Sequence, residues 1–348
     1  MRWFHWTLLV LLLVGGTAAG GSLALNELLN APMPVAGGGE GAEILQVEPG
    51  DNLRKVLREI KHRGWIEYPR LVEWWARHQR LDQGLHIGEY RITPGTSAAA
   101  LVQMINAGEV IRYSITLPEG ISLANALERL QSDTRLKPLL SGPDDDRLLA
   151  LVAPSDSAEG WFMPETYQFT RGDSDLDILT RAHTAMESAL TVAWESRAPN
   201  LPLRHAYEAL ILASVVERET SIPEERPAIA GVFLRRLQRN MRLQTDPTVI
   251  YGLGDQYRGN LTRKHLRDTE NPWNTYVIKG LPPTPIALPG VAALQAAVQP
   301  APGEDLYFVA RGDGYHAFAA TLEEHNANVK RYQLSRRADY RSTPDERP

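Results

Sequence analysis

The chain has 348 residues, 43% of them hydrophobic and 23% charged, with a formal net charge of -5. That length suggests two folded units plus appendages, and the composition argues against long disorder or a polytopic membrane protein. The mild acidity offers polyphosphate no global attraction, which excludes nucleic acid as an expected partner, and the absence of cysteine excludes disulfides, thiolate metal sites and cysteine nucleophiles.

The N-terminus opens with Arg2 and then an uncharged stretch from Trp6 to Leu25. Roughly 20 apolar residues span one bilayer, so residues 1–29 are expected to be a cytoplasmic tip and a single transmembrane helix, with the body exported. A cleaved signal peptide, processed near Ala18, Ala19 and Gly20, is the alternative. Residues 30–41 (NAPMPVAGGGEG) read as a flexible linker. Folding is expected to begin at residue 42, where Ile44, Leu45 and Val47 suggest a strand. Pro49-Gly50-Asp51 supplies a turn, and Leu53, Val56, Leu57 and Ile60 mark the inner face of a helix. A second helix over 70–79 carries Trp74 and Trp75, a strand is expected within 86–95, and a third helix runs from Ser97 to Ala107. The module spanning 42–112 resembles a LysM-like carbohydrate-binding subdomain. A platform without ligand is the other reading.

A larger α+β unit is expected over 113–334, opening with a strand, the turn Pro118-Glu119-Gly120 and a helix capped by Ser122. Asp144–Asp146 and Asp173–Asp175 read as loops, and the polar segment 335–348 as a disordered tail. Within this unit, residues 209–216 contain no polar side chain except Ser214, so the helix should be buried. Glu217 and Glu219 follow, about 200° apart around a helix, which predicts that they do not both face one cleft. A carboxyl at the end of a buried helix is partly desolvated, which favours its protonated form and suits it to donate a proton. On this segment alone, the solvated end of a core helix is the simpler reading.

Its neighbours change that balance. The segments EGWFMPETYQF (159–169), ILASVVERET (211–220), RLQTDPTVIYGLG (242–254), NTYVIKGLPPTPIALPG (274–290) and LYFVARGDGYHAF (306–318) combine polar groups, aromatics and rigid turns. Sugar sites are built in this way, with aromatic faces against pyranose rings and amide, carboxylate and hydroxyl groups on the sugar's polar atoms. Together these segments closely resemble the endolytic murein transglycosylases of the bacterial inner membrane, the YceG-like family, over about residues 44–330.

The resemblance implies a lyase that cleaves the β-1,4 bond between N-acetylmuramic acid and N-acetylglucosamine in nascent glycan strands. It leaves 1,6-anhydro ends and could terminate strand elongation. The catalytic role falls by position on Glu217, with Glu219 in reserve. Glu165, Gln244, Thr245, Asp246, Asn274 and Tyr276 are expected to position substrate, with loop-stabilising hydrogen bonding as their alternative role. No cofactor or metal is expected: His316 and His325 lack metal-ligand spacing, and no phosphate loop or nucleophile elbow occurs. The basic cluster Arg235, Arg236, Arg239 and Arg242 reads as a solvated helix face. The implied partners are peptidoglycan strands, the inner membrane and peptidoglycan synthases, with the body in the periplasm. The rival readings are a non-catalytic peptidoglycan-binding scaffold and a muramidase that uses water.

Overall fold

Turn and cap chemistry explains most element boundaries in the computed structural model, which describes residues 20–35 and 41–334. The chain divides into two units, one comprising the residues up to Tyr113 together with Gln168–Gly172, the other Ser114–Tyr167 and the residues from Asp173 onward.

The first unit begins with helix α1 over residues 20–30. Strand β1 (Glu43–Val47), helices α2 (Leu53–His62) and α3 (Pro69–His78), strand β2 (Gly88–Ile92) and helix α4 (Ala98–Ala107) follow. β1 and β2 pair antiparallel with Leu45 opposite Tyr90. Strand alternation turns Leu45 and Val47 into the core and leaves Ile44 outside. Asn52 caps α2 by accepting from the Lys55 N–H, and Ser97 caps α4 by accepting from Ala100. The expected inner face of α2 is the observed one, since Leu53, Val56, Leu57 and Ile60 are all buried against Tyr90, Ile92, Leu101 and Ile105.

Part of the segment read as a flexible linker is built into this core. Met33 and Val35 are buried, and the Met33 N–H donates to the Thr96 carbonyl at 2.9 Å, because two apolar side chains placed beside an existing core lose less by ordering than they gain by burial. Residues 36–40 of that segment lie outside the described residues, as do residues 1–19 of the expected anchor and the tail 335–348. Among the described residues no helix is long and apolar enough to cross a membrane.

The second unit is mostly helical. The division between units falls within strands β3 (Tyr113–Thr116) and β4 (Thr166–Phe169), which form a second two-stranded ribbon. Helices α5 (Leu123–Gln131), α6 (Asp146–Leu151), α7 (Asp175–Glu195), α8 (Ala206–Glu219), α9 (Arg226–Gln238), α10 (Asp246–Leu253), α11 (Arg263–Leu266) and α12 (Val291–Val298) lead to an antiparallel hairpin of β5 (Tyr307–Ala310) and β6 (His316–Ala319), then to α13 (Leu322–Val329). Ser122 caps α5 as its position suggested.

The acidic patches read as loops are helix starts. Asp145 caps α6, and Asp175 opens α7 fully buried, accepting from the N–H groups of Leu139 and Leu140 and from Gln131. Backbone donors without helical partners draw a carboxylate inward there. The core centres on α8, whose Leu210, Leu212, Val215 and Val216 pack with Met186 and Leu190 of α7, Ile229 and Phe233 of α9, and Leu294 of α12. Ser214, the single polar side chain in that run, accepts from the Ile286 N–H at 3.0 Å and so ties the proline-rich segment along α8.

Candidate functional site

Helix α8 ends at Glu219 because Thr220 is extended, and the two glutamates at this end meet different surroundings. The Glu217 side chain is 3% exposed, with Arg226 Nη2 at 2.6 Å from Oε1. Its Oε2 accepts from the Gly290 N–H at 2.9 Å. The same guanidinium nitrogen lies 3.2 Å from Glu119. Burial raises the Glu217 carboxyl above the ordinary glutamate value, and the Gly290 N–H and Arg226 oppose that rise.

Glu219 is half-buried and accepts from the Thr245 hydroxyl. Desolvation pushes its carboxyl up to about 7, with Asp246 adding to the rise and Thr245, His316 and Arg236 working against it. The negative end of the α8 dipole disfavours charge in the same sense. Thr245 is fixed in turn, since its N–H donates to Thr275 Oγ1 at 3.0 Å and its carbonyl accepts from Thr248 at 2.8 Å. The preceding residue, Gln244, holds a left-handed backbone (φ 55°), a strained conformation of a kind that clusters at working sites.

Two hollows meet here. One of about 540 Å³ is bordered by Glu119, Glu217, Glu219, Thr220, Arg226 and His316. The other, of about 490 Å³, is bordered by Glu219, Gln244, Asp246, Tyr276, Tyr307 and His316. Glu219 and His316 belong to both and form the junction. The expectation that the two glutamates could not share a cleft fails because the first hollow wraps the helix end and reaches both.

The sequence-predicted positioning residues divide. Gln244, Thr245, Asp246 and Tyr276 gather along the second hollow, with the Tyr276 hydroxyl 2.7 Å from Asp246. Asn274 is fully buried, donating to the carbonyls of His265 and Asp268 and accepting from the Tyr276 N–H, so it holds the loop and presents nothing to a ligand. Glu165 is exposed and borders neither hollow. Its carbonyl accepts from Leu117 in the β3–β4 ribbon.

Arg236, read as part of a solvated face, is buried. It donates to the carbonyls of Leu306 (2.6 Å) and Leu243 (2.8 Å) and lies 5.0 Å from the Tyr307 ring centroid. It therefore fastens the hairpin that bears Tyr307 and His316. Glu119, Glu225 and His316 are site residues that no local pattern marks, because their partners here are far away in sequence, and Arg226, nine residues from Glu217, belongs to no motif that announces the pair. Among the described residues no group of three or more His, Asp or Glu side chains is arranged to hold a metal ion.

Fold and site thus define a predominantly helical α+β protein with a polar groove at the end of a buried helix, where one glutamate is paired with an arginine and burial raises the carboxyl of the other. The chain belongs to the YceG-like family, whose model matches residues 45–331. It is 26% identical over 310 residues to the endolytic murein transglycosylase of Bacillus subtilis (strain 168), an alignment that covers 84% of this chain and 85% of the relative. It is 25% identical to the endolytic murein transglycosylase of Streptococcus pneumoniae (strain ATCC BAA-255 / R6) over 92% of this chain, and spans 63% of that relative's length. The crystal structure of a YceG-like protein from Listeria monocytogenes superimposes with a TM-score of 0.51 at 24% identity, covering 83% of this chain and 99% of that one, and shares its fold.

Proposed function

We propose that the protein is an endolytic murein transglycosylase that cuts peptidoglycan glycan strands, with Glu219 as its acid/base group. The family and the names of its relatives support the reaction class. The observation that carries the assignment is the place of Glu219: half-buried, at the junction of the two hollows, with a carboxyl that desolvation raises to about 7. A group of that character can donate a proton near neutral pH and take one back. Glu217, to which the family position pointed first, is sealed against Arg226 and Gly290, and we assign it a holding role.

In this reading the glycan lies across the junction, with one sugar in each hollow. Protonated Glu219 gives its proton to the oxygen leaving C1 of N-acetylmuramic acid. The resulting carboxylate then accepts the proton of that sugar's own 6-hydroxyl as it closes onto C1, so the enzyme is restored and the product carries a 1,6-anhydro end. A single carboxyl suffices, unlike the paired carboxyls of ordinary glycosidases. Tyr276, Asp246 and Gln244 are placed to hold hydroxyl and acetamido groups, and Tyr307 offers a ring face.

The first unit, with two helices between its antiparallel strands, would in this reading be the LysM-like module that holds the strand. The apolar run from Trp6 to Leu25 would keep the body at the periplasmic face of the inner membrane, where nascent strands are within reach and cleavage would end their elongation.

Mass spectrometry of purified glycan treated with wild-type protein, Glu217→Gln and Glu219→Gln tests the reading. Anhydro-ended products lost in Glu219→Gln and retained in Glu217→Gln are expected. The reverse pattern returns the role to Glu217. Reducing ends, heavier by one water, would indicate a muramidase, and glycan capture without cleavage a scaffold.

A further inference from the structure

Between the two hollows stands a second polar pair, of Glu225 and His316. The His316 N–H donates to Glu225 Oε1 at 2.8 Å, and its Nδ1 lies 2.8 Å from Oε2. A carboxylate at that distance accepts from Nδ1–H and so fixes the ring's tautomer and orientation. Both side chains are 11% exposed. The Phe308 ring meets the imidazole edge-on at 5.4 Å, so the ring is held from a second side. Glu225 ends the short 3-10 turn Pro223–Glu225 that follows α8, and Thr220 donates to its Oε2 at 3.4 Å. The pair therefore joins β6 to the segment directly beyond Glu219.

We propose that Glu225 and His316 act as one positioning unit that governs the charge of Glu219: Glu225 fixes the imidazole at the junction of the two hollows, and the charge the ring carries acts on the neighbouring carboxyl. The inference rests on the assignment of Glu219 as the acid/base group and adds to it a second pair of residues. The ring borders both hollows together with Glu219, and its positive charge favours the Glu219 carboxylate. Glu225 holds the ring in that place through both of its oxygens, so the two residues act together. A pair that merely tied β6 to the α8–α9 connection would need no place at the junction.

Other charged groups surround the unit. The first hollow adds Glu119, Glu217, Arg218 and Arg226, the second Arg236, Asp246 and His325. All are unchanged in the variants below.

The test uses the full chain and two readouts. The first is the alkaline limb of the pH profile of kcat/KM for glycan cleavage in wild type, His316→Asn, Glu225→Gln and the double variant. Asn can still donate an amide N–H to Glu225 but carries no charge, which preserves the tie while removing the cation. Each single variant is expected to move the limb to higher pH by about one unit, and the double variant no further. The second readout is the titration of the Glu219 carboxyl followed by carbon-13 NMR in wild type and His316→Asn, which needs no activity. An NMR midpoint that moves upward in His316→Asn supports the unit even if Glu219→Gln still cleaves, an outcome that would sink the assignment of Glu219 alone. Superimposable titrations and pH limbs, with only the rate reduced, would overturn the proposal and leave the pair a structural tie.

Discussion

Arg226 Nη2 lies 2.6 Å from Glu217 Oε1, and the two side chains are 6% and 3% exposed, so a largely buried ion pair is set into the wall of the groove. Removing one partner leaves an uncompensated buried charge, a change that typically costs 3–5 kcal/mol. Arg226→Met is therefore expected to destabilise the protein by about 4 kcal/mol. Adding Glu217→Leu should recover most of that loss, because the orphaned carboxylate is gone. Urea unfolding of the single and double variants measures both. A double variant as unstable as Arg226→Met would mean that the arginine acts through something other than this pair.

The two glutamates should separate in their kinetics. Loss of a general acid typically lowers rate by 10²–10⁴-fold, and Glu219→Gln is expected to fall in that range with its thermal midpoint unchanged or raised, since a disfavoured charge has been removed. Glu217→Gln should lower the midpoint and reduce turnover by less than about tenfold, in keeping with a group that holds Arg226 and the Gly290 N–H. Turnover and melting measured on the same preparations check this.

Glu159 gives a pH-dependent stability. Its carboxyl accepts from the Leu123 N–H at 3.0 Å and from the Tyr251 hydroxyl at 3.2 Å, and burial pushes it up to about 7 from an ordinary 4.5. Between those values the folded state holds a proton that the unfolded chain releases. Unfolding free energy therefore falls as pH rises through that window and levels off above it. A shift of this size corresponds to about 3 kcal/mol. Glu159→Gln should flatten this part of the profile. A slope between pH 4.5 and 7 that is identical in the variant would refute the assignment.

Gly160 sits at φ 83°, and a Cβ there would come within 2.4 Å of the Pro285 ring. Gly160→Ala combines a strained backbone, about 1–3 kcal/mol, with overpacking against a rigid ring, about 1–3 kcal/mol. A loss of about 2–5 kcal/mol in denaturant unfolding is expected. A neutral result would show that the proline-rich segment yields readily.

Asn274 and Tyr276 should behave as opposites although they stand two residues apart. Asn274→Ala strips three hydrogen bonds from a buried loop and should cost about 2 kcal/mol of stability. Tyr276→Phe keeps the ring, loses the bond to Asp246 and should raise KM with little change in melting. Calorimetry and steady-state kinetics together distinguish them.

What the sequence made legible follows the range of the interaction. Ser97 and Ser122 declare themselves as caps through bonds three residues away, and the apolar run of α8 declares its burial by composition alone. Gln244, Thr245, Asp246 and Tyr276 line one hollow. Asn274 looked identical in kind, yet its amide is spent on the backbone, a distinction set by three-dimensional surroundings. Arg236 reads as surface because arginines mostly are, and only the returning hairpin supplies the carbonyls that bury it. The Glu225–His316 pair spans 91 residues and Arg226–Glu119 spans 107, separations over which no periodicity or motif carries information.

The hairpin β5–β6 bears on the order of events in biosynthesis. It brings Tyr307 and His316 to a groove whose glutamates were made much earlier in the chain. A nascent polypeptide can thus fold α8 with both carboxyls in place while the second hollow still lacks a wall. The groove is completed only when the hairpin has emerged and Arg236 has closed on Leu306. Chains stalled or clipped ahead of that point would carry both glutamates without the second hollow.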